Sequence, residues 1–435
     1  MSWELLLITV IQFGVPFLII FLYVVAVMLP LLIYMERKAS AYMQDRRGPN
    51  RASIAGIRAF GLVHLVADVL KLLMKEDVEP TASEQFTFRL APFLVMAAVI
   101  MIMGAIPFGE PVDLGRLWGY EVQIEMQAVN INAGILFVFA VASLEVYGLI
   151  LGGYSAANKY SFLGALRGAS QMISYEVTLG LAVIGILLVY GSANLQDIVL
   201  SQGANPLSWG FVISPLGFIL FWVAIFAETN RNPFDLPEAE SEIVAGYHLE
   251  YSSFKFALFF MGEYASMAVS SAILVTLFVG GWQVPFLDRV AIEDNAALIL
   301  RVLCFSGTVV MALGGLAIWN GARAPRIVYK DRRDLEPKIF TAVFFVGALA
   351  LGAAAVALPS LDFAHWMTIA TRVLVQAVSF MAKTFFFAFC FIWVRWTLPR
   401  FRYDQLMRVG WRWMLPIGLA NILVTYVWGV EVLGR

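Results

Sequence analysis

Residues 226–251 read FAETNRNPFDLPEAESEIVAGYHLEY, and this stretch sets the terms for the rest of the chain. Six carboxylates fall in it (Glu228, Asp235, Glu238, Glu240, Glu242 and Glu250), offset by one arginine, Arg231, and flanked by long apolar runs. Charge surrounded by hydrocarbon is costly unless it touches water, forms pairs or handles protons. The flanking runs make that constraint apply here.

The chain has 435 residues, 60% hydrophobic and 14% charged, whereas a soluble domain carries about 25% charged residues. Composition alone therefore predicts a polytopic membrane protein. Cys304 and Cys390 lie far apart in apolar runs, and the three histidines, His64, His248 and His365, are scattered. No CxxC or comparable ligand spacing exists, so the sequence encodes no iron–sulfur, zinc or haem site, and any redox cofactor must belong to a partner. No Gly-rich phosphate loop is present, and the basic loops carry no nucleic-acid motif. The run Leu5–Ile33 lacks a basic leader and a small-residue cleavage site, so it reads as a retained span.

A span needs roughly 20 apolar residues. Ten runs qualify, at about 5–33, 90–107, 130–151, 174–190, 210–227, 254–280, 297–318, 338–358, 372–396 and 413–432. They do not alternate as barrel strands must, so all are expected to be helices. Alternate loops, at 34–89, 152–172, 228–253, 319–338 and 395–412, hold 23 Lys and Arg against 4 on the other side. The positive-inside rule puts the basic loops in the cytoplasm and both termini outside. The expected fold is an all-α polytopic membrane protein of about ten transmembrane helices with amphipathic interface helices.

The first basic loop opens with Glu36-Arg37-Lys38 and turns at Gly48-Pro49-Asn50. Beyond it, Ile57, Phe60, Leu62, Val63, Val66, Val69, Leu70 and Leu73 recur at helical spacing, with His64, Asp68, Lys71 and Lys75 on the other faces. Residues 56–76 are therefore expected to form an amphipathic helix lying in the membrane interface. Residues 152–172 read as a short polar loop with a second amphipathic turn.

The carboxylates grade from surface to mid-membrane. Glu228 ends the fifth run, Glu176 begins the fourth, and Glu145 is inside the third. Glu263 lies about 15 Å into the sixth at 1.5 Å per residue, and Lys383 is similarly deep in the ninth. Structural readings compete with a proton path. Asp235 and Glu238 fit a capping box, and Glu176 suits a helix start. Glu263 could pair with Lys383, and Glu240 and Glu242 could form a solvated face. Together, depth-graded carboxylates beside a basic surface loop point to a proton path.

Five ordered segments carry a resemblance: ERKASAYMQDRRGPN at 36–50, NKYSFLGALRGASQMISYEVTLG at 158–180, the acidic stretch at 226–251, FALFFMGEY at 256–264 and PRFRYDQLM at 399–407. They resemble the membrane-embedded H subunit (subunit 1) of respiratory complex I, the proton-pumping NADH:quinone oxidoreductase. The resemblance implies a non-redox-centre translocase subunit whose eight core helices surround the access to a quinone cavity. Quinone is then the substrate, with iron–sulfur clusters and FMN held by partners. Implied partners are the peripheral-arm iron–sulfur and quinone-site subunits, the small membrane subunits, the antiporter-like subunits and membrane lipid. Carried over by position, Glu176, Glu228, Asp235, Glu238, Glu240, Glu242, Glu250 and Glu263 resemble the acidic proton path. Arg37, Arg46, Asp68 and Arg231 resemble residues around the quinone chamber. Glu145 matches no family carboxylate in this reading.

The chain departs from the pattern in length. After Gly280-Gly281-Trp282 about 75 additional residues precede the span holding Lys383. The expected organisation is an N-terminal core part over 1–284, an inserted transmembrane hairpin over 285–365, and C-terminal core helices over 366–435. Two readings compete: the membrane subunit of an energy-converting hydrogenase or formate hydrogenlyase, and a stand-alone secondary transporter, which would show repeats and broken midplane helices.

Overall fold

The computed structural model describes residues 3, 10–117, 120–323, 335–357 and 365–433. Among these, eight helices are long and apolar enough to cross a membrane. The helices, in order, are α1 (Val10–Met43), α2 (Val63–Met74), α3 (Gln85–Ala105), α4 (Gly134–Ser155), α5 (Lys159–Tyr190), α6 (Leu195–Gln202), α7 (Pro215–Glu228), α8 (Ser253–Phe278), α9 (Ala296–Arg323), α10 (Glu336–Ala357), α11 (His365–Thr397) and α12 (Leu415–Leu433). The protein is an all-α polytopic membrane protein. Its single described sheet is the antiparallel hairpin β1 (Val112–Leu117) and β2 (Tyr120–Ile124), which the pattern of apolar runs does not reveal.

Three helical stretches widen to π geometry, at Val10–Gly14, Tyr23–Met28 and Val409–Met414. Each stands just upstream of a proline: Pro16, Pro30 and Pro416. A proline ring clashes with the carbonyl four residues back and offers no N–H to it, so the preceding turn opens.

Several expected boundaries move. The polar stretch 152–172 is mostly helical: α4 runs to Ser155, and α5 starts at Lys159 behind Asn158, whose side chain accepts from the Tyr160 N–H. Small residues make this possible, since a Cβ on Gly164 would lie 2.8 Å from the Gly246 Cα. Glu176 therefore sits near the middle of a 32-residue helix, and the helix-dipole reading fails. The fifth run is broken at Ser214 (φ −130°, ψ 69°), where the short helix Gly210–Ile213 stops and Pro215 opens α7. The amphipathic helix begins only at Val63, because Ala59, Phe60 and Gly61 take positive φ. None of its residues is buried, and Val66, Val69, Leu70 and Leu73 stay exposed, as an interface helix requires.

The chain divides into two compact units, one of residues 1–39, 71–286 and 376–435, the other of 40–70 and 287–375. In the first, α3 packs on α4 and α8, and α5 packs on α4, α7 and α12. Lipid offers no hydrophobic drive to join helices, so close backbone approach does the work. A Cβ on Gly148 of α4 would meet Val95 at 2.6 Å and the Ala91 carbonyl at 3.1 Å, so a larger residue there would part α3 from α4. In α8, 83% of the apolar window is buried, which makes it the central helix of this unit. In the second unit α9 and α10 form a hairpin whose apolar windows are only 6% and 17% buried. Phe305, Val310 and Leu349 are among its exposed residues.

Candidate functional site: a buried arginine between two carboxylates

The acidic stretch is built around the end of α7. Beyond Glu228, Asn230 adopts φ +51°, which asparagine tolerates better than most residues. The buried Gln171 of α5 pegs the resulting loop, its amide Nε2 donating to the Ala227 carbonyl at 2.6 Å and the Phe234 carbonyl at 2.7 Å. On the other side Asn232 Nδ2 donates to the Arg395 carbonyl at 2.9 Å, and Phe401 N–H donates to the Pro233 carbonyl at 3.0 Å. Gly246 closes the loop at φ +63°; a Cβ there would lie 1.6 Å from the Pro237 carbonyl oxygen, so only glycine fits.

These anchors bury Arg231, which is 4% exposed. Its guanidinium lies 3.6 Å from Glu263, 4.0 Å from Glu36 and 4.2 Å from the centre of the Tyr264 ring. Burial opposes the charge, but Tyr264, Glu263 and Glu36 outweigh it and hold the arginine firmly protonated. Tyr264 donates its hydroxyl to Glu36 at 2.5 Å, and Arg395 contacts the same carboxylate at 2.5 Å. Among the described residues, Arg231 Nε and Nη2 have no hydrogen-bond acceptor.

A cavity of about 180 Å³ opens beside this centre, lined by Arg231, Arg395, Glu238, Glu263, Tyr247 and His248 and by phenylalanine rings. Tyr247 donates its hydroxyl to Glu263 at 2.9 Å, and His248 Nδ1 lies 3.2 Å from Glu238. Burial, and then the charges of Glu263 and Glu238, push the Tyr247 hydroxyl well above its ordinary pKa, so it remains a donor. Burial pulls Glu238 upward, but hydrogen bonds to Glu263 and His248 and the nearby positive charges more than offset it. Its carboxyl is held below the usual range.

A second cavity, of about 30 Å³, has room for a water and is lined by Glu145, Glu228, Ser266, Phe221 and Ile225. Both Glu145 oxygens lie 3.0 Å from the Ser266 hydroxyl that donates to them. Glu176 lies on α5, which packs against α7.

The predicted site residues thus separate. Arg231, Glu238 and Glu263 share the first cavity, while Glu228 belongs to the second and Glu176 lines neither. Asp235 caps no helix; it is buried and accepts from Arg400 at 2.5 Å. Burial and then the charge of Glu238 lift its pKa to about 6, against the pull of Arg400. Glu242 is exposed and pairs with Arg167 at 2.5 Å, and Glu250 accepts from Asn158 at 2.6 Å, so both pin the loop. Glu240 opens the short helix Glu240–Ile243, and its side chain is outside the described set. Arg37 is half-buried on α1. Arg46, exposed and bonded to Gln44 at 2.7 Å, and Asp68 on α2 belong to the second unit.

Glu263 does not pair with Lys383. The Lys383 ammonium instead donates to the carbonyls of Val279, Gly281 and Gln283 at 2.9, 3.1 and 2.6 Å, capping the frayed end of α8. Sequence reasoning also passed over Glu36, Arg395, Tyr247 and Tyr264 as site residues. Glu36 was legible as an acid at the apolar end of a basic segment, whereas Arg395 was hidden among topology-setting arginines. Among the described residues no group of three His, Cys, Asp or Glu could hold a metal ion.

The fold and these centres define a class: a polytopic membrane protein whose polar interior is made of carboxylates, phenols and arginines. The profile described as NADH dehydrogenase matches residues 15–426. The NADH-quinone oxidoreductase H subunit of Salinibacter ruber is 38% identical over 406 residues, covering 93% of this chain and 92% of that one. The H subunit of the Bdellovibrio bacteriovorus enzyme is 35% identical over 433 residues, covering 95% and 94%. NADH-quinone oxidoreductase subunit 8 of Rhodothermus marinus is 38% identical over 411 residues, covering 94% and 95%. The chain belongs to this family, the H subunits of NADH-quinone oxidoreductase.

Proposed function

We propose that the chain forms the wall of the quinone-access chamber and carries protons that couple quinone reduction to translocation, without a redox centre of its own. The observation that supports this most is Arg231, buried between Glu36 and Glu263 beside a cavity of about 180 Å³ that is partly polar and partly aromatic. Quinone takes up two electrons and two protons to become quinol; the electrons come from an iron–sulfur cluster of a partner. Negative charge developing on the quinone draws on the Arg231 field, and the hydrogen-bonded Tyr247–Glu263 pair beside it is the local route by which protons arrive. From the Tyr247–Glu263 pair the charge change passes on to Glu145 and Glu228 and then to antiporter-like partners.

In this reading Arg37, Arg46 and Asp68 serve the quinone path. Glu176, Asp235, Glu240, Glu242 and Glu250 tune or support the carboxylates that move protons. The chain sits in the cell inner membrane with both termini periplasmic, and residues 285–365 are an inserted hairpin whose exposed faces meet lipid or a neighbouring subunit.

Membranes carrying Arg231→Lys test the assignment. Lysine keeps the charge but not the planar reach between two carboxylates. NADH:quinone turnover falls about tenfold while NADH:ferricyanide activity, which reports the intact peripheral arm, persists. Wild-type quinone turnover in assembled complex removes the Arg231 centre from the mechanism.

A further inference from the structure

We infer that Glu336, the first residue of α10, is a positioning residue for quinone access, through which the α9–α10 hairpin sets the shape of the loop that leads into α2. The inference rests on the quinone-chamber reading above.

The loop over residues 51–62 is held at both ends. At its start the His64 ring nitrogen Nε2 accepts from the Arg51 and Ala52 N–H groups, each at 3.1 Å. Ile54 and Ile57 then bond each other across a one-bridge turn, with Ala55 at φ +51° and Gly56 at φ +88°. At its end the chain runs through three consecutive positive φ values, Ala59 +47°, Phe60 +56° and Gly61 +99°. Glycine adopts this region freely, but a bulky residue such as phenylalanine is an outlier there. A conformation of that kind persists only where its surroundings over-determine it.

Glu336 supplies the constraint. Its Oε2 accepts from Arg58 Nε at 2.9 Å, and its Oε1 accepts from the strained Phe60 N–H at 3.4 Å. One turn further along α10, Phe340 packs its ring 5.0 Å from that of Phe60. The carboxylate is 5% exposed, so the pair is shielded from salt and water. Glu336 thus spans the kink from both sides, holding the side chain before it and the backbone within it.

The consequence is directional. Val66, Val69, Leu70 and Leu73 of α2 are exposed, so for a helix lying in the interface the angle at which the chain enters α2 fixes how this apolar face meets lipid. A quinone with a long isoprenoid tail must cross that surface, whereas a short-tailed, water-soluble analogue need not. Loosening the latch therefore acts on KM for the long-tailed substrate and leaves kcat and the short-tailed substrate little changed.

The test uses complex in native membranes. Glu336→Gln keeps an acceptor for the Phe60 N–H and removes the charge that holds Arg58. KM for a long-tailed quinone rises roughly three- to tenfold, the range set by losing a charge-assisted hydrogen bond, with ferricyanide activity unchanged. Arg58→Glu and Glu336→Arg singly show a larger defect, and the double exchange, which rebuilds the ion pair but not the acceptor for the Phe60 N–H, brings KM part of the way back. Equal KM values for wild type and Glu336→Gln with both quinones overturn the proposal. So does a double exchange no better than the singles, or an equal effect on both quinones. Failure here with Arg231→Lys still defective leaves the chamber reading standing; wild-type turnover in Arg231→Lys removes that reading instead.

Discussion

Glu145 of α4 and Glu228 of α7 face one small cavity, and the Ser266 hydroxyl donates to Glu145 from the third wall, on α8. Two carboxylates sharing a confined space do not ionise independently, which suits them to hold and release one proton. Glu145→Gln is expected to lower NADH:quinone turnover about tenfold or more, since positioned proton transfer contributes about a hundredfold and water recovers part of it. Ser266→Ala, which removes only a donor to that carboxylate, has a smaller effect. Turnover in membranes matched for assembled complex measures both, and a larger loss in Ser266→Ala than in Glu145→Gln contradicts the assignment.

Asp235 links structure to pH. Its pKa rises from 3.8 to about 6, first through burial and then through the charge of Glu238. A carboxyl raised on folding favours the protonated form, so this contribution to stability is fully present below the unfolded value and is lost as pH rises through about 6. Asp235→Asn should flatten whatever part of the quinone-reductase pH profile changes near pH 6. A profile identical to wild type across roughly pH 5 to 7 assigns that limb elsewhere.

Glu79 shows the opposite sign. It forms a two-pronged pair with Arg89 at 2.8 and 2.9 Å and also contacts Lys255, which itself pairs with Asp77 at 2.8 Å. The hydrogen bonds from Arg89 and Lys255 lower its pKa from 4.5 to about 2. The clip is therefore intact above pH 4.5 and opens as pH falls toward about 2. Glu79→Gln should raise amide exchange in residues 75–84 at neutral pH, as acid does in the wild type. Unchanged exchange would mean the clip holds nothing.

The parts of the fold that follow from solvent were legible in the sequence. Long apolar runs must be helices in lipid, and the exposed apolar face of α2 follows from its 3.6-residue pattern. Helix ends were less legible, because interior small and polar residues decide them. The stretch around Lys159–Met172 looks like a loop in composition, yet glycines and alanines let it pack as helix against the acidic loop. The site was half legible. A carboxylate cluster is visible as composition, but its division into a chamber group, a second cavity and loop pins depends on contacts between residues far apart in sequence. Glu242 with Arg167 and Glu250 with Asn158 are such pins. Glu145 acquires a role only when α7 and α8 bring Glu228 and Ser266 to it.

The most direct test of the central claim, that buried carboxylates couple quinone chemistry to proton movement, is Glu228→Gln in sealed vesicles with assembled complex quantified. NADH:quinone turnover and NADH-driven proton uptake are followed together, with NADH:ferricyanide activity reporting the peripheral arm. The account predicts that quinone turnover and proton uptake collapse while ferricyanide activity and assembly persist. Turnover and proton uptake both near wild type would contradict it, and would make the cavity of Glu145 and Glu228 a structural feature only.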